Sequence, residues 1–384
     1  MPDPRVLMVV SNGFTHDPRV AAEAASLTQA GYEVTVLAWD RDGTLPVEEM
    51  RDRVRVVRVR NTLGMRLNPY ELFWLRAFWR VATRRALELH REKPFHVVHC
   101  HDLDTLPVGV ALRRRPGVSL VYDAHEFFPY IVGELSRAKP WEGRFARLER
   151  RLAPHAALIL VASPPQQEYF AAMTRGPIVT VMNTRALAYR DYEPPRNPRM
   201  RVVYIGSLQM DRLLVPFAEL AVGDDSFEAE IGGWGPAAAP IRELAAKSRG
   251  NLRFLGVVSM EDVVPRTHAA DVVYSLLDPS KRLFRLAAPN KFFEALVAGR
   301  PVLVTRGTWV GSEVEAAECG LAIEYSKASL RDALRTLQKD ASLRERLGRN
   351  AFRLAGERYN WAHEERTLLG AYRQLGVPRG TGAG

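Results

Sequence analysis

The chain has 384 residues and a formal net charge of +10, with 47% hydrophobic and 26% charged residues. These fractions are typical of a globular protein of two domains, and no run reaches the roughly 18 uncharged apolar residues that a membrane span needs. The two cysteines, Cys100 and Cys319, are too few and too far apart for a disulfide framework or a zinc cluster, so we expect a cytoplasmic protein.

Apolar, β-branched runs alternate with stretches of helical periodicity through the first half of the chain. This alternation predicts a parallel sheet whose strands are joined by crossover helices. The predicted strands are residues 6–10, 34–38, 54–59, 97–100, 119–122, 158–161 and 178–182, and helices such as 20–30, 105–115 and 144–152 separate most of them.

The first predicted strand runs into a glycine turn, Ser11-Asn-Gly13, before a helix that opens near Pro18. Such a turn can present backbone N–H groups to an anion, although the tight turn of a parallel sheet explains Gly13 equally well. The dinucleotide fingerprint G-x-G-x-x-G is absent, which argues against a dehydrogenase.

Residues 68–91 mix aromatic side chains with five arginines at helical spacing. An aromatic face of this kind predicts packing into the domain core, and contact with an anionic bilayer is the alternative. The positive charge of the chain lies mainly in this half and fits an anionic membrane surface or an anionic substrate. No nucleic-acid-binding module is recognisable, so we expect no nucleic-acid partner. The aromatic residues are Tyr70, Phe73, Trp74, Phe78 and Trp79.

Two polar clusters follow predicted strands, His99-Cys-His101-Asp102 and Asp123-Ala-His125-Glu126. Strand ends are where an α/β scaffold displays functional side chains, so two clusters in one half predict a ligand site. In an extended strand His99 and His101 point to one side and Asp102 to the other. No short-spaced cysteine pair or H-E-x-x-H motif accompanies them, so we expect no metal ion here.

A polar, proline-dense segment, residues 191–198, predicts a domain boundary. The predicted domains are residues 1–190 and 191–360, and residues 361–384 predict a helix that packs back towards the N-terminal domain and ends in a disordered tail. Two such α/β halves predict Rossmann-like, doubly wound sheets that face each other across a ligand-binding cleft. The strands predicted for the second half are residues 201–205, 227–231, 252–255, 272–275, 302–305 and 321–323.

Glycine loops follow the first two strands of the second half. Gly206 begins a loop that reaches Arg212, whose guanidinium can donate several hydrogen bonds to an anion. Gly232-Gly-Trp-Gly235 follows the next strand and permits backbone contact with a diphosphate or a sugar. Neither loop carries the lysine of a P-loop, so ATPase chemistry is not supported.

Residues 288–302 combine a short helix with a following buried strand. Lys291 and Glu294 are three positions apart and therefore share a helix face near the helix N-terminus, where unpaired N–H groups attract phosphate. A carboxylate one turn further in can accept hydrogen bonds from a diol such as a ribose. A helix that ends at a glycine before a buried strand is common in α/β proteins, and this explains the segment equally well when it is taken alone.

Taken together and in this order, the motifs resemble those of the retaining glycosyltransferases of family 4, which have the two-Rossmann-domain GT-B fold. The resemblance extends from Val6 to about Tyr372, nearly the whole chain, and it depends on the ordered set of motifs rather than on any one of them. It implies an α/β protein of GT-B architecture that moves a sugar from a nucleotide-sugar donor to an acceptor.

The resemblance also implies a donor site, most of it in the second half. Gly13 matches the family's first glycine loop near the donor phosphates, and Gly233 and Gly235 match the loop beside the nucleotide. Val258 matches the backbone that faces the base, and Glu294 the carboxylate that holds the ribose. The remaining donor-binding residues are Gly206, Asn290 and Lys291.

The resemblance assigns catalytic roles to His125, which approaches the transferred sugar, and to Arg212 and Lys291 on the diphosphate. Asp17, His101, Asp102 and Glu126 are then expected to position the acceptor. Two positions depart from the family pattern: Ser207 stands where an arginine is usual, and Leu286 where a second glutamate is frequent. These departures leave the donor sugar open.

The function implied is retaining, metal-independent transfer from a nucleotide-sugar, with UDP favoured, to a glycan, lipid-linked or small-molecule acceptor of polysaccharide biosynthesis. No cofactor is expected. Peripheral contact with the inner face of an anionic membrane is expected through residues 68–91. Two alternatives remain open: a nucleotide-sugar 2-epimerase of the same fold, and a non-catalytic nucleotide-sugar-binding protein.

Overall fold

The computed structural model describes residues 3–15, 17–60, 72–135 and 139–376. They form two compact units. The first holds the described residues of Met1–Met182 and Glu365–Gly384, and the second is Asn183–Glu364. In the described part of the chain, no helix combines the length and the apolar character needed to cross a membrane.

The first unit is built on an eight-stranded sheet in the order β3-β4-β2-β1-β5-β6-β7-β8. Every neighbouring pair is parallel except β3 with β4. The strands are β1 (Arg5–Val9), β2 (Glu33–Asp40), β3 (Glu48–Arg51), β4 (Val54–Arg60), β5 (Val97–His101), β6 (Ser119–Ala124), β7 (Leu158–Val161) and β8 (Ile178–Thr180).

Strand β3 was not predicted, and its sequence explains why. Glu-Glu-Met-Arg is polar throughout and carries no apolar alternation, because the strand is half exposed at the sheet edge. The seven strands that sequence patterning does predict are all present in this unit.

Helices lie between the strands of the first unit, as the alternation predicts. Phe78 of the long second helix is buried and stacks on Trp39 at 4.5 Å between ring centroids, so this part of the aromatic face packs into the core. Tyr70 lies outside the described residues. The helices are α1 (Pro18–Gln29), α2 (Leu72–Glu92), α3 (Leu106–Leu112), α4 (Phe128–Tyr130), α5 (Glu142–Leu152) and α6 (Pro164–Ala171).

The second unit is built on a six-stranded, fully parallel sheet in the order β11-β10-β9-β12-β13-β14. Its strands are β9 (Met200–Ser207), β10 (Phe227–Trp234), β11 (Leu252–Gly256), β12 (Val272–Ser275), β13 (Val302–Thr305) and β14 (Gly320–Ile323). Its helices are α7 (Leu214–Gly223), α8 (Ala238–Lys247), α9 (Met260–Ala269), α10 (Arg282–Leu286), α11 (Asn290–Val297), α12 (Trp309–Ala317), α13 (Lys327–Lys339) and α14 (Ala341–Glu357). Two parallel-sheet α/β domains confirm the predicted fold class.

The two units divide after Met182, whereas linker composition placed the division after residue 190. The intervening segment packs on the second unit. The ring of Tyr189 stacks on His268 at 3.7 Å, and Arg185 donates a hydrogen bond to Glu294 at 2.8 Å. Contacts of this kind cannot be read from linker composition.

Helix α15 (Trp361–Gln374) ends the described chain, and its last turns belong to the first unit. Tyr372 is fully buried, and its hydroxyl lies 2.7 Å from Nδ1 of His99 on β5. The tail predicted to be disordered, residues 377–384, lies outside the described residues.

Each sheet reverses its strand order at one internal position. In the first unit this position lies between β1 and β5, and in the second it lies between β9 and β12. Open α/β sheets bind ligands beyond the carboxyl ends of the strands at such a reversal. A ligand site is therefore expected at the loops that follow these strands. They are the loops after β1 and β5 in the first unit and those after β9 and β12 in the second.

Candidate functional site

An ion pair at the carboxyl end of β6 is the centre of the buried polar cluster in the first unit. The Arg19 guanidinium donates to both oxygens of Asp123, at 2.6 Å to Oδ1 and 3.0 Å to Oδ2. It also donates to the carbonyl of Val181 at 2.6 Å. Both side chains are buried, so the pair is shielded from water and held in one geometry.

Two histidines share the Oδ2 atom of Asp123. Nε2 of His125 lies 2.7 Å from it and Nδ1 of His101 3.0 Å from it, and the two ring nitrogens are 3.1 Å apart. Asp123 is thus a hub to which a guanidinium and two imidazoles bind. Burial raises the pKa of Asp123, but the charges of Arg19 and His125 outweigh it and hold that pKa well below its usual range.

Further groups of this cluster are buried without a hydrogen-bond partner. Both carboxylate oxygens of Glu23 and Nε2 of His99 belong to this class. Burial, with repulsion from Asp123, raises the pKa of Glu23 to about 8, and burial lowers the pKa of His99 well below its ordinary value. Glu23 is therefore mostly protonated at neutral pH, and His99 is neutral.

The same cluster contains four side chains of the types that bind metal ions. Glu23, His99, His101 and Asp123 offer ligand atoms that all lie within 4.8 Å of one another. Both oxygens of Asp123 already accept from Arg19, however, and the Arg19 Nε atom lies 3.1 Å from Glu23 Oε1. A buried guanidinium in contact with both carboxylates supplies the positive charge that a cation would supply. A metal ion would therefore have to compete with Arg19 for both carboxyl groups, and its absence from this site stays a prediction.

The predicted acceptor residues of this unit have local structural partners. Asp17 caps helix α1, accepting from the backbone N–H of Val20 at 3.2 Å and from Asn12 at 2.9 Å. Asp102 accepts from the backbone N–H groups of His125 and Glu126, at 3.0 and 3.3 Å.

His101 is 3% exposed, so its ring is largely inaccessible, whereas Glu126 is exposed. The carbonyl of Gly13 accepts from Arg58 at 2.9 Å. Acceptor binding by these residues stays a prediction, as does donor binding by Gly13.

The glycine loops of the second unit pack directly on one another. A Cβ atom at Gly233 would overlap the carbonyl oxygen of Gly206, and one at Gly235 would lie 2.6 Å from the carbonyl oxygen of Leu208. Both glycines have positive φ angles, 136° and 144°. Close approach of two strand ends therefore explains these glycines, and contact with a nucleotide stays a prediction.

Lys291 and Arg212 converge on one aromatic ring, that of Tyr204 on β9. The Lys291 ammonium lies over this ring, 4.6 Å from its centroid, and Arg212 donates to the Tyr204 hydroxyl at 3.2 Å. The Nε atom of Arg212 is buried without a hydrogen-bond partner. A Cβ atom at Gly206 would collide with the Lys291 ammonium, so the glycine loop lies directly against the cation.

Positive charge is in excess around Lys291 and Arg212. Burial lowers the pKa of Lys291 to about 8, and although Glu294 opposes this shift, the guanidiniums of Arg212 and Arg185 add to it. Among the described residues, neither Lys291 nor Arg212 lies within 4 Å of a carboxylate oxygen. Cations that depress one another's charge in this way form a site that an anion would stabilise.

Glu294 has a partner that the sequence did not reveal. Its Oε1 atom binds Arg185 at 2.8 Å, and the two side chains are 7% and 19% exposed. Asn290 is exposed at the first turn of α11, where the N-cap residue Pro289 has no side-chain acceptor to offer. Ribose binding by Glu294 therefore stays a prediction, with one oxygen already in use.

Apolar side chains are exposed at the carboxyl ends of three neighbouring strands. Val257 follows β11, Trp234 ends β10 and Met210 follows β9, with 75%, 66% and 61% of their surface exposed. Val258 packs against Gly232. Exposed apolar residues at the ligand-binding edge of a parallel sheet are candidates for contact with a planar ring.

Four residues of the two sites were not singled out by sequence: Arg19, Tyr204, Arg185 and Trp234. Three of them act through partners distant in the chain, so no local pattern marks them. Arg19 did carry a weak signal, because it follows Asp17 and Pro18 at the start of a helix directly after the first glycine turn.

Two family profiles together span most of the chain. Residues 16–184 match the family described as glycosyl transferase 4-like domain, and residues 199–340 match the family described as glycosyl transferases group 1. No curated protein matches the chain.

Solved structures share the fold over nearly the full length. A sucrose-phosphate synthase from Thermosynechococcus elongatus is 17% identical with a TM-score of 0.80, covering 97% of this chain and 99% of its own. Anabaena HepE in complex with UDP-glucose is 14% identical with a TM-score of 0.69, covering 96% and 99%. An E. coli structure described as trehalose-6-phosphate bound with UDP-2-fluoro glucose is 12% identical with a TM-score of 0.69, covering 98% and 100%.

Proposed function

We propose that this chain, which belongs to the glycosyltransferases with a type 4-like and a group 1 domain, moves a sugar from a nucleotide-sugar donor to a hydroxyl acceptor. A UDP-sugar is the favoured donor, and the acceptor is a glycan, a lipid-linked sugar or a small molecule. The complexes of the similar structures with UDP-glucose and UDP-2-fluoro glucose support the donor class.

One observation of this chain carries the proposal: two cations without a carboxylate partner, Lys291 and Arg212, meet on Tyr204 beside the Gly206 loop. The loop follows β9, and Lys291 lies in the connection that follows β12, so the two flank the reversal of strand order. A diphosphate supplies the two negative charges that this place lacks.

The chemical difficulty of the reaction is the departure of a nucleoside diphosphate from the sugar. Lys291 and Arg212 would stabilise the charge that grows on the leaving phosphate, and preorganised donors of this kind are worth roughly 3–4 kcal/mol each. With these cations in place the reaction proposed here requires no metal ion. Activity that persists in EDTA would support this, and activity restored only by a divalent cation would contradict it.

Retention of configuration follows from attack on the face that the phosphate leaves. The C–O bond to the phosphate breaks with its electron pair on the phosphate oxygen. The acceptor oxygen bonds to the same sugar carbon, and its proton passes to the leaving phosphate. No carboxylate nucleophile is assigned.

The proposal is tested by supplying a panel of nucleotide-sugars with candidate acceptors and measuring nucleotide release and product anomeric configuration. Lys291→Ala should lower turnover by at least about tenfold, since the charge on the leaving group loses a partner. Lys247→Ala on the exposed end of α8 is the matched control and should retain wild-type turnover. Unaltered transfer by Lys291→Ala would remove Lys291 from the mechanism.

Two other functions use the same fold, and the same assay separates them. A 2-epimerase would isomerise the nucleotide-sugar without any acceptor. A non-catalytic binding protein would bind nucleotide without turnover. The observation in its favour is that Leu286 and Ser207 stand where the family frequently has a glutamate and usually has an arginine.

We also propose peripheral attachment to the inner face of an anionic membrane through helix α2. A groove of about 620 Å³ on this helix is lined by Trp79, Thr83, Leu87 and four arginines, Arg76, Arg80, Arg84 and Arg91. Arg84 pairs with Glu88, whereas Arg80 and Arg91 have no carboxylate partner among the described residues. Cationic side chains beside an aromatic ring match the chemistry of an anionic lipid surface.

This attachment is tested by flotation with vesicles of neutral lipid alone and with added phosphatidylserine. The wild type should float with the anionic vesicles only, and Arg80→Glu with Arg91→Glu should abolish flotation without changing turnover on a water-soluble acceptor. A wild type that stays at the bottom of both gradients would reject the attachment.

A further inference from the structure

His125 stands at the end of β6 with its two ring nitrogens in different surroundings. Nε2 is bound to Asp123 at 2.7 Å. Nδ1 has no hydrogen-bond partner among the described residues, and the Asp102 Oδ2 atom is 3.8 Å from it, beyond hydrogen-bond reach. The side chain is 13% exposed, so one edge of the ring is anchored and the other is left for a ligand.

Asp123 is itself held by contacts on several sides. Arg19 holds both oxygens of Asp123, and the Asp123 backbone carbonyl accepts from the N–H of Asp102 at 2.8 Å. Arg19 is in turn tied to the carbonyl of Val181. The orientation of His125 is therefore set by a chain of contacts that begins on helix α1 and ends on β6.

We propose that Asp123, fixed by Arg19, is a positioning residue that keeps His125 protonated with its Nδ1–H free to donate to a substrate oxygen. This inference rests on the transfer reaction proposed above and gives His125 a definite role within it. His125 is then a fixed cationic hydrogen-bond donor and not a general base.

The charges around His125 agree with this role. Burial disfavours the imidazolium, but Asp123 and Asp102 outweigh it and raise the pKa of His125 to about 10. A buried carboxylate that hydrogen-bonds directly to an imidazole stabilises its protonated form. The titratable and charged groups that act on the ring come from several elements: Arg19 and Glu23 of α1, His99, His101, Asp102 and Asp104 of β5 and the turn after it, and Asp123 of β6.

The role has a chemical consequence for the proton balance. An imidazolium with both nitrogens protonated cannot accept the proton of the acceptor hydroxyl. This agrees with the reaction proposed above, in which that proton passes to the leaving phosphate, which receives the electron pair of the broken bond. His125 neither gives nor takes a proton, and it contributes a hydrogen bond from Nδ1.

The experiment follows the imidazole C–H resonances of His125 by NMR in the substrate-free enzyme, assigned with His125→Gln. In the wild type His125 should show no titration between pH 6 and 8.5. In Asp123→Asn its midpoint should fall to about 6.5 or lower, because the carboxylate is lost and burial remains. A wild-type midpoint below pH 8 overturns the proposal, even if Asp123→Asn fails to fold.

Turnover then separates positioning from a merely structural role. The kcat of Asp123→Asn should decline at least about tenfold as the pH rises through the midpoint that NMR gives for this variant, because the imidazolium is lost there. The kcat of the wild type should show no such decline between pH 6 and 8.5. A uniform loss at every pH would mean a structural role and would overturn the proposal.

Glu149→Gln is the matched control, since Glu149 is a buried carboxyl of the same unit that lies outside this cluster, where it accepts hydrogen bonds from the hydroxyls of Tyr122 and Tyr169. It should leave both the His125 titration and kcat unchanged. The NMR arm needs no substrate. An enzyme with a protonated His125 and no sugar transfer would therefore refute the proposed function while leaving the positioning of His125 intact.

Discussion

At Tyr204 two cations share one phenol: the Lys291 ammonium lies over its ring and Arg212 donates to its hydroxyl. A ring can hold such cations without neutralising them, because its quadrupole attracts positive charge but carries none of the opposite sign. The site is thereby organised before an anion arrives, and binding costs little rearrangement.

A proton should accompany the donor into this site. Burial and the nearby guanidiniums lower the pKa of Lys291 to about 8, so near pH 8 a substantial fraction of the ammonium is deprotonated. A diphosphate favours the charged form and raises this pKa, so UDP binding at pH 8 should take up a fraction of a proton. Calorimetry in buffers of different ionisation enthalpy measures the uptake, which should vanish in Lys291→Met and at pH 6. If Lys291→Met takes up as much of a proton on UDP binding as the wild type, a group other than Lys291 accepts that proton.

Residue pairs that meet across long stretches of chain could not be predicted from the sequence. Arg19 and Asp123 are 104 positions apart, and Arg185 and Glu294 are 109 apart. Lys291 and Arg212 were found because each lies beside a local glycine or helix-start pattern. Their shared partner Tyr204 was missed because, within a strand, it reads as an ordinary core residue.

At the scale of the elements, the ends of β9 and β10 are locked together by glycine. Gly233 faces the carbonyl of Gly206 so closely that no side chain fits between them, and its φ of 136° suits glycine alone. The packing of these two strand ends therefore explains the shape of the loop that contains Gly233.

Gly233→Ala should lower the free energy of unfolding by about 2–4 kcal/mol, from overlap with backbone and from strain at positive φ. Denaturant titration measures the loss. Gly223→Ala at the end of α7, where a Cβ atom would meet nothing within 4 Å, is the control and should change stability by less than about 1 kcal/mol. Equal stability of the two variants would show that the strand ends are not in close contact.

Periodicity predicted the strands of both sheets because buried parallel strands are continuous apolar runs. It missed β3, whose pairing at the sheet edge needs no apolar side chain. It also could not assign residues 183–190, since their attachment to the second unit depends on the stacking of Tyr189 on His268 and on the ion pair of Arg185 with Glu294.

At the scale of the whole molecule, the buried acids of the first unit link stability to pH. The folded-state pKa of Glu23 is raised to about 8, above its unfolded value near 4.5. The protonated form of Glu23 therefore favours the folded state. This contribution to stability is complete below the unfolded-state pKa near 4.5 and is lost as the pH rises through the folded-state pKa of about 8.

Glu23→Gln removes this dependence, since its side chain does not titrate. The variant should therefore gain stability relative to the wild type between pH 5 and pH 8, by at least about 1 kcal/mol. Melting temperatures at several pH values measure the difference. A constant gap between wild type and variant would show that Glu23 ionises freely in the folded protein.

The most direct test of the central claim compares the binding of UDP and uridine. If Lys291 and Arg212 hold the diphosphate, UDP should raise the melting temperature of the wild type far more than uridine does. The double variant Lys291→Met with Arg212→Met should abolish that difference and leave the small effect of uridine unchanged. A double variant that UDP stabilises as much as it does the wild type would contradict the account.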